Sequence, residues 1–263
     1  PELGVQGAAI SSVISRGLAL IVFFWLLYRV LEVKIKWRDY VALPMAYIKK
    51  IFKIGIPAAL EQVLYQTCQI LLMYFVTYIS AEALAARQYA YNISMFTYLF
   101  AMAIGAGTAI IVGRYVGAGR KDEAYDQVWR SVRWAMGFTL VMVAVVIIFR
   151  EPFMRIFTDN EEVVKIGASV LVLSILLETG RTVNITIINT LRAAGDATFP
   201  LMLGIVSMLC MSVPLGYFLV FHLDMGLPGI WLAIAADEWF RAIVVMIRWK
   251  SRKWERHILV SPK

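Results

Sequence analysis

Charged side chains sit well inside long apolar runs of this sequence, away from the basic links: Arg16, Glu61, Arg87, Glu178, Arg181, Asp237, Glu238 and Arg241. A charge in such a run is costly, so it pairs with another charge or faces a wet cavity, and each is a functional candidate. Glu178 and Arg181 stand three apart, as do Glu238 and Arg241, and Asp237 and Arg241 stand four apart. On a helix these spacings put the partners on one face, so each set can pair within its own helix. Asp237, Glu238 and Arg241 read as structural ion pairs. Glu178 and Arg181 admit two readings, a neutralised helix anchor or part of a working site.

Glu61 differs from the rest. It follows Gly55-Ile56-Pro57 by about one turn and has no basic neighbour in its own apolar run. Glu61, Tyr65 and Gln69 recur at i, i+4 and i+8 and share a helix face. A lone carboxylate on a polar stripe suits a cavity wall that binds a cation or a proton. The alternative is a wetted, idle Glu near the end of its helix. Gln88, Tyr91 and Asn92 share a second face, and Asn184 follows Arg181 by three residues. Amides such as these bond helices together or line a wet path. The candidates for cation or proton coupling are therefore Glu61 and Glu178. The candidates for a substrate cavity are Tyr65, Gln69, Gln88, Tyr91, Asn92, Arg181 and Asn184.

Other chemistry finds no support. Cys68 and Cys210 fall inside apolar runs and read as buried, inert thiols. His222 and His257 are isolated. There is no nucleophile–base pair and no metal-ligand spacing. Gly117-Ala118-Gly119-Arg120 lacks the Gly-Lys-Ser/Thr that a phosphate loop needs. The expectation is a protein that is not an enzyme, with no catalytic residue, metal or cofactor.

The elements that must position these groups are membrane helices. Sixty percent of the residues are apolar, and mean hydropathy is +0.72, beyond what a soluble domain carries. Seven apolar blocks, about 8–28, 54–80, 84–112, 127–149, 163–191, 197–221 and 227–248, are each long enough to span a bilayer, which takes roughly 20 residues. Ala103-Ile104-Gly105-Ala106-Gly107 would allow close helix packing. Tyr28, Trp37, Tyr78, Trp129, Trp249 and Trp254 near the block ends suit interfacial belts.

The net charge of +8 does not mark a nucleic-acid binder, because it is spread over alternate links. Arg29–Lys53 holds seven Lys/Arg, Ser80–Ala83 none, Arg114–Arg133 five, His222–Gly226 none and the tail from Arg248 six. Basic links face the cytoplasm, so residue 1 is expected outside and residue 263 inside after seven crossings. The mixed stretch Val30–Trp37 alternates like a strand but reads as part of a cytoplasmic link. The organisation expected is 1–29 as the last helix of an N-terminal lobe, 30–52 as the link, 53–250 as a six-helix lobe and 251–263 as a cytoplasmic tail.

An internal echo fits this plan. Leu3-Gly4-Val5-Gln6-Gly7 and Met225-Gly226-Leu227-Pro228-Gly229 each open an Ala/Ile-rich run that carries an Arg. Six crossings separate them, so the implied repeat is parallel, about an axis along the membrane normal. A preceding lobe of roughly five further spans is then expected as the partner of this chain.

Three segments together resemble the multidrug and toxic compound extrusion (MATE) family: Phe52-Lys53-Ile54-Gly55-Ile56-Pro57, the run Ala109–Arg120 with its Val-Gly-x-x-x-Gly-Ala-Gly motif, and Leu191–Pro200 with its Leu-Arg-x-x-Gly-Asp motif. Their order and spacing fit the family's second half over nearly the whole chain. The resemblance implies an all-α integral membrane protein, here seven transmembrane helices: a six-helix C-terminal lobe plus the last helix of the N-terminal lobe. It implies a plasma-membrane exporter of organic cations and toxic compounds in exchange for Na⁺ or H⁺, a monomer at full length. In the sodium-coupled branch a Glu of the seventh helix and an acid of the tenth form a cation site. Glu61 corresponds to the first. Near the second this chain has Arg181, with Glu178 one turn away, which sets it apart from that pattern. A lipid-linked precursor flippase of the same superfamily and a non-transporting membrane scaffold are the alternatives.

Overall fold

The computed structural model describes residues 4–29 and 45–257. The strand-like stretch Val30–Trp37, most of the predicted link 30–52 and the end of the predicted tail lie outside the described residues. The chain divides into two units, Pro1–Lys49 and Lys50–Lys263. In the first lies helix α1, Gly4–Arg29. Helix α2, Met45–Thr77, begins in the first unit and runs through the second. There follow α3 (Ala81–Gly117), α4 (Lys121–Ile148), the short α5 (Arg150–Arg155), α6 (Glu161–Ala193), α7 (Thr198–Ser207), α8 (Val213–Phe221) and α9 (Gly226–Lys250).

Each of the seven apolar blocks falls on helix. Five stretches among the described residues are long and apolar enough to cross a membrane: Ala9–Arg29, Ala81–Gly117, Lys121–Ile148, Glu161–Ala193 and Thr198–Phe221. In α2 and α9 the apolar run is diluted by the groups of interest: Glu61, Gln62, Gln66 and Gln69 in one, and Asp237, Glu238 and Arg241 in the other. Large apolar side chains such as Phe96, Ile110, Trp134 and Val141 point outward on α3 and α4. Soluble monomers rarely expose so much apolar surface, and lipid would cover it.

Helix ends follow local chemistry. The Ser80 hydroxyl accepts from the backbone N–H of Ala83 and caps α3. The Asn160 side chain accepts from the N–H groups of Glu162 and Val163 and caps α6, whose first turn holds Glu161 and Glu162. Between α7 and α8 the helix widens into a π turn, Met208–Ser212. Pro214 explains it: the ring has no N–H and crowds the carbonyl four residues back, so the chain detours around it.

The core of the second unit splits into two clusters. One gathers Leu72, Ala86, Leu171, Leu227 and Ile230. The other gathers Val112, Val128, Ile187, Leu191, Val245 and Trp249. Helices α3, α4, α6 and α9 contribute to both. Along α6 the first cluster ends at Leu177 and the second begins at Val183. Along α9 the break falls between Ala235 and Ala242. The residues between the breaks include Glu178, Arg181, Asp237, Glu238 and Arg241, so the sequence leaves a polar band between two apolar layers. Small side chains bring the helices close there. A Cβ on Gly180 would lie 3.1 Å from the backbone nitrogen of Trp239, so a larger residue would press α6 and α9 apart. Gly105 likewise sits against Thr186 and Asn189 of α6, whereas Gly107 meets no neighbour.

Two of the tryptophans expected in an interfacial belt, Trp249 and Trp254, are instead wholly buried. They stack on each other at 4.4 Å with their planes 4° apart. A position near the end of an apolar run does not say whether packing or interface takes the ring. Cys210 is exposed rather than buried, while Cys68 is buried as expected.

Candidate functional site

The polar bands of α2, α3, α6 and α9 meet at a cavity of about 430 Å³. Its wall holds the carboxylates of Glu61 and Glu238 and the guanidiniums of Arg181, Arg192 and Arg241. The rings of Tyr65, Tyr91 and Tyr98 and the amides of Gln62, Gln66, Asn184 and Asn189 fill the intervals.

Glu238 is the hub. The Arg181 guanidinium donates to Glu178 Oε1 at 2.9 Å and reaches Glu238 Oε1 at 3.5 Å. The Asn184 amide donates to Glu238 Oε2 at 2.7 Å. The Arg241 Nη2 lies 3.1 Å from Asp237 Oδ2 and 3.2 Å from Glu238 Oε1. The Arg181 guanidinium also lies over the Tyr98 ring, 5.1 Å from its centre, a cation–π arrangement. All five charged side chains are at most 8% exposed. Glu178 Oε2, Asp237 Oδ1, Arg241 Nε and Asn184 Oδ1 are buried without a hydrogen-bond partner. Three carboxylates share two guanidiniums, and unpaired polar atoms buried in this way call for an explanation such as a functional role or a bound water or ion.

Glu61 occupies a separate part of the wall. Its Oε2 accepts from Arg192 Nη2 at 2.7 Å. The lone carboxylate read from the sequence is therefore paired, and its partner comes from the end of α6. Gly204 of α7 leaves room for the Glu61 stem; a Cβ there would sit 3.5 Å from Glu61 Cγ. Beside the main cavity lies a void of about 10 Å³, lined by Gln69, Arg87, Tyr91, Ser94, Glu178 and Trp231 among others. It has room for about one water. The Arg87 Nη2 donates across it to Gln69 Oε1 at 3.2 Å.

The structure places Glu61, Tyr65, Tyr91, Arg181 and Asn184 in the wall of the cavity. Gln69 and Glu178 line the small void instead. Gln88 is exposed and Asn92 half-buried. The Gln88 amide donates to Asn92 Oδ1 at 3.5 Å, and both lie outside the wall, although Tyr91 beside them lines it. Asp237, Glu238 and Arg241 pair within α9 as expected, but Glu238 also bridges to α6. Sequence reasoning missed Arg192, Tyr98, Gln62, Gln66 and Asn189. The Leu-Arg-x-x-Gly-Asp motif was the available signal for Arg192. Among the described residues, no three His, Cys, Asp or Glu side chains gather as a metal site.

Long apolar helices packed around a cavity with a charged wall fit a multi-pass membrane protein. The family is fixed by the MatE model, which matches residues 57–218; the chain belongs to the MatE family, a family of transporters. It is 38% identical over 254 residues to the uncharacterized transporter YisQ of Bacillus subtilis, covering 97% of this chain and 56% of that protein. It is 24% identical over 261 residues to the probable multidrug resistance protein NorM of Thermotoga maritima, covering 99% of this chain and 56% of the relative. The chain thus spans little more than half the length of these relatives. Among solved structures it resembles the outward-facing conformation of a multidrug resistance MATE family transporter of the MOP superfamily. That match has a TM-score of 0.81, 22% identity, and covers 95% of this chain and 56% of that one.

Proposed function

We propose that this chain forms the C-terminal lobe, with the last helix of the N-terminal lobe, of a secondary active efflux transporter. It exports organic cations in exchange for Na⁺ or H⁺ across the plasma membrane. The observation that carries this reading is the cavity itself: carboxylates beside three tyrosine faces suit a large, flat, positively charged guest. The names of the NorM relatives agree with it. In this reading Glu61 and Glu178 take up the coupling ion. A proton or Na⁺ held at Glu61 neutralises the carboxylate that the cargo needs, so coupling ion and cargo exclude one another there. Tyr65, Tyr91, Arg181 and Asn184 shape the cargo's seat, and no residue is assigned a catalytic role. The charge pattern of the links sets the direction, with the basic links and the chain's end inside. The remaining partners are the lobe that completes the cavity, membrane lipid and the cationic cargo.

The test uses the full-length protein in liposomes, with Na⁺ and pH gradients imposed separately and efflux of a cationic dye recorded. One of the two gradients should drive efflux, and Glu61→Gln should reduce it at least about tenfold, the loss of one charge-assisted contact. Efflux that ignores both gradients, or that Glu61→Gln leaves unchanged, would overturn the reading.

A second reading has one observation in its favour. Three guanidiniums converge on the cavity against two wall carboxylates, which suits the phosphates of a lipid-linked precursor. Each of these arginines, however, already pairs with a carboxylate. Inhibition of dye efflux by a lipid-linked diphosphate, lost in Arg181→Gln, would support the flippase. A non-transporting scaffold gains nothing from a wet cavity of this size.

A further inference from the structure

Arg192 stands apart from the other cavity arginines. Arg181 and Arg241 each touch two carboxylates. Arg192 touches only Glu61, through Nη2 at 2.7 Å. Its Nη1 reaches Asn189 Oδ1 at a long 3.4 Å, and its Nε is buried with no partner. The side chain is 26% exposed where Glu61 is 8% exposed. One good contact therefore holds this guanidinium, and wet space lies beside it.

Its position in the chain is also distinctive. Arg192 belongs to the last turn of α6, next to a turn at Gly195, whose φ of 98° requires glycine. Beyond that turn the backbone is fixed. The Asp196 N–H donates to Leu191 O at 2.9 Å, and the buried Asp196 carboxylate holds Arg248 of α9 at 2.8 Å. The base of the arm is anchored, while its tip is held by one close contact and borders the cavity.

We propose that Arg192 is a built-in competitor for the cargo: its guanidinium occupies the Glu61 carboxylate when the cavity is empty and must be displaced for an organic cation to bind. This rests on the reading of Glu61 as a cargo-binding carboxylate. Arg192 then sets the affinity threshold and favours cargo whose cation is flanked by apolar or aromatic surface. Such a guest adds contacts with Tyr65 and Tyr91 that the arginine does not make, while a small hydrated cation adds none. In the empty cavity the same arm keeps Glu61 from standing as an uncompensated charge, a state costly at low dielectric.

The experiment measures binding of tetraphenylphosphonium to the full-length protein in detergent. Arg192→Gln should tighten binding roughly tenfold, the scale of a typical coupling between two competing sites. Arg192→Lys, which keeps the tethered charge, should bind within about threefold of the natural protein. Glu61→Gln should weaken binding and erase the effect of Arg192→Gln in the double variant. If Arg192→Gln does not fold, Arg192→Met keeps the aliphatic stem and takes its place. Unchanged or weaker binding on removing the arginine, with Glu61→Gln still weakening it, would overturn the proposal and leave the role of Glu61 standing. If Glu61→Gln has no effect on binding, the reading beneath it fails as well.

Discussion

The cavity network and the strap that follows α9 are both laced by arginine–carboxylate pairs, yet charge plays a different part in each. In the cavity the paired side chains are at most 8% exposed, and they are what crosses from α6 to α9. In the strap, Lys253–His257 folds into a 3₁₀ turn. Its pair Arg252–Asp122 is 42% and 83% exposed, and Lys121–Glu255 is 41% and 21% exposed. There the link is Trp254, wholly buried against Trp249. The same bond chemistry carries different weight because water screens one set and not the other. Where burial is complete, losing one partner exposes the other to the full cost of an unpaired charge. Where it is not, water takes the partner's place.

The contrast ranks the expected effects. Glu238→Ala should be the most damaging, because Arg181, Arg241 and Asn184 all lose one shared acceptor. The expected cost is about 3–5 kcal/mol, read as a fall in the thermal midpoint of the purified full-length protein. A loss below about 1 kcal/mol would mean that water already carries these charges, and the comparison would break at its strong end. Trp254→Ala should follow at about 3 kcal/mol, as for other buried aromatics cut back to Ala. That loss should appear in thermal stability at any salt concentration, since no charge is involved. A loss that grew with salt would show that the surrounding ion pairs, not the ring, hold the strap.

The same distinction explains what could be read from the sequence. Pairs at i, i+3 and i, i+4, such as Glu178–Arg181 and Asp237–Arg241, need only helix geometry and were legible. Glu61–Arg192 spans 131 positions and depends on how α2 lies against the end of α6, which local spacing does not encode. The seven apolar blocks are helical because apolar length dictates that choice. The fates of Trp249 and Trp254 depended on a neighbour in three dimensions, and composition at the block ends pointed the wrong way. Gln88 and Asn92 sat on a plausible polar face, but a face has no direction until its helix is packed. The buried Asp196–Arg248 contact, 52 positions apart, was hidden for the same reason.

The smallest effect belongs to Arg252 and Asp122. Their contact is short, 2.6 Å, and Arg252 also lies over the Tyr125 ring at 4.8 Å, so distance alone would rank it with the cavity pairs. Exposure predicts otherwise. An exposed pair gives up two hydrated charges and the freedom of a long side chain for a contact that water nearly matches, and its worth is about 0.2–1 kcal/mol. A double-mutant cycle with Arg252→Ala and Asp122→Ala isolates the pair from the stacking on Tyr125, which only the Arg252 variants lose. The coupling energy should lie within that range at about 0.1 M salt and shrink further at about 1 M, where the screening length falls to roughly 3 Å. A coupling above about 2 kcal/mol that ignores salt would place this contact in the same class as Glu238. Fractional exposure would then be the wrong variable for separating the two regions, and the strap would be a charged clasp rather than an apolar one.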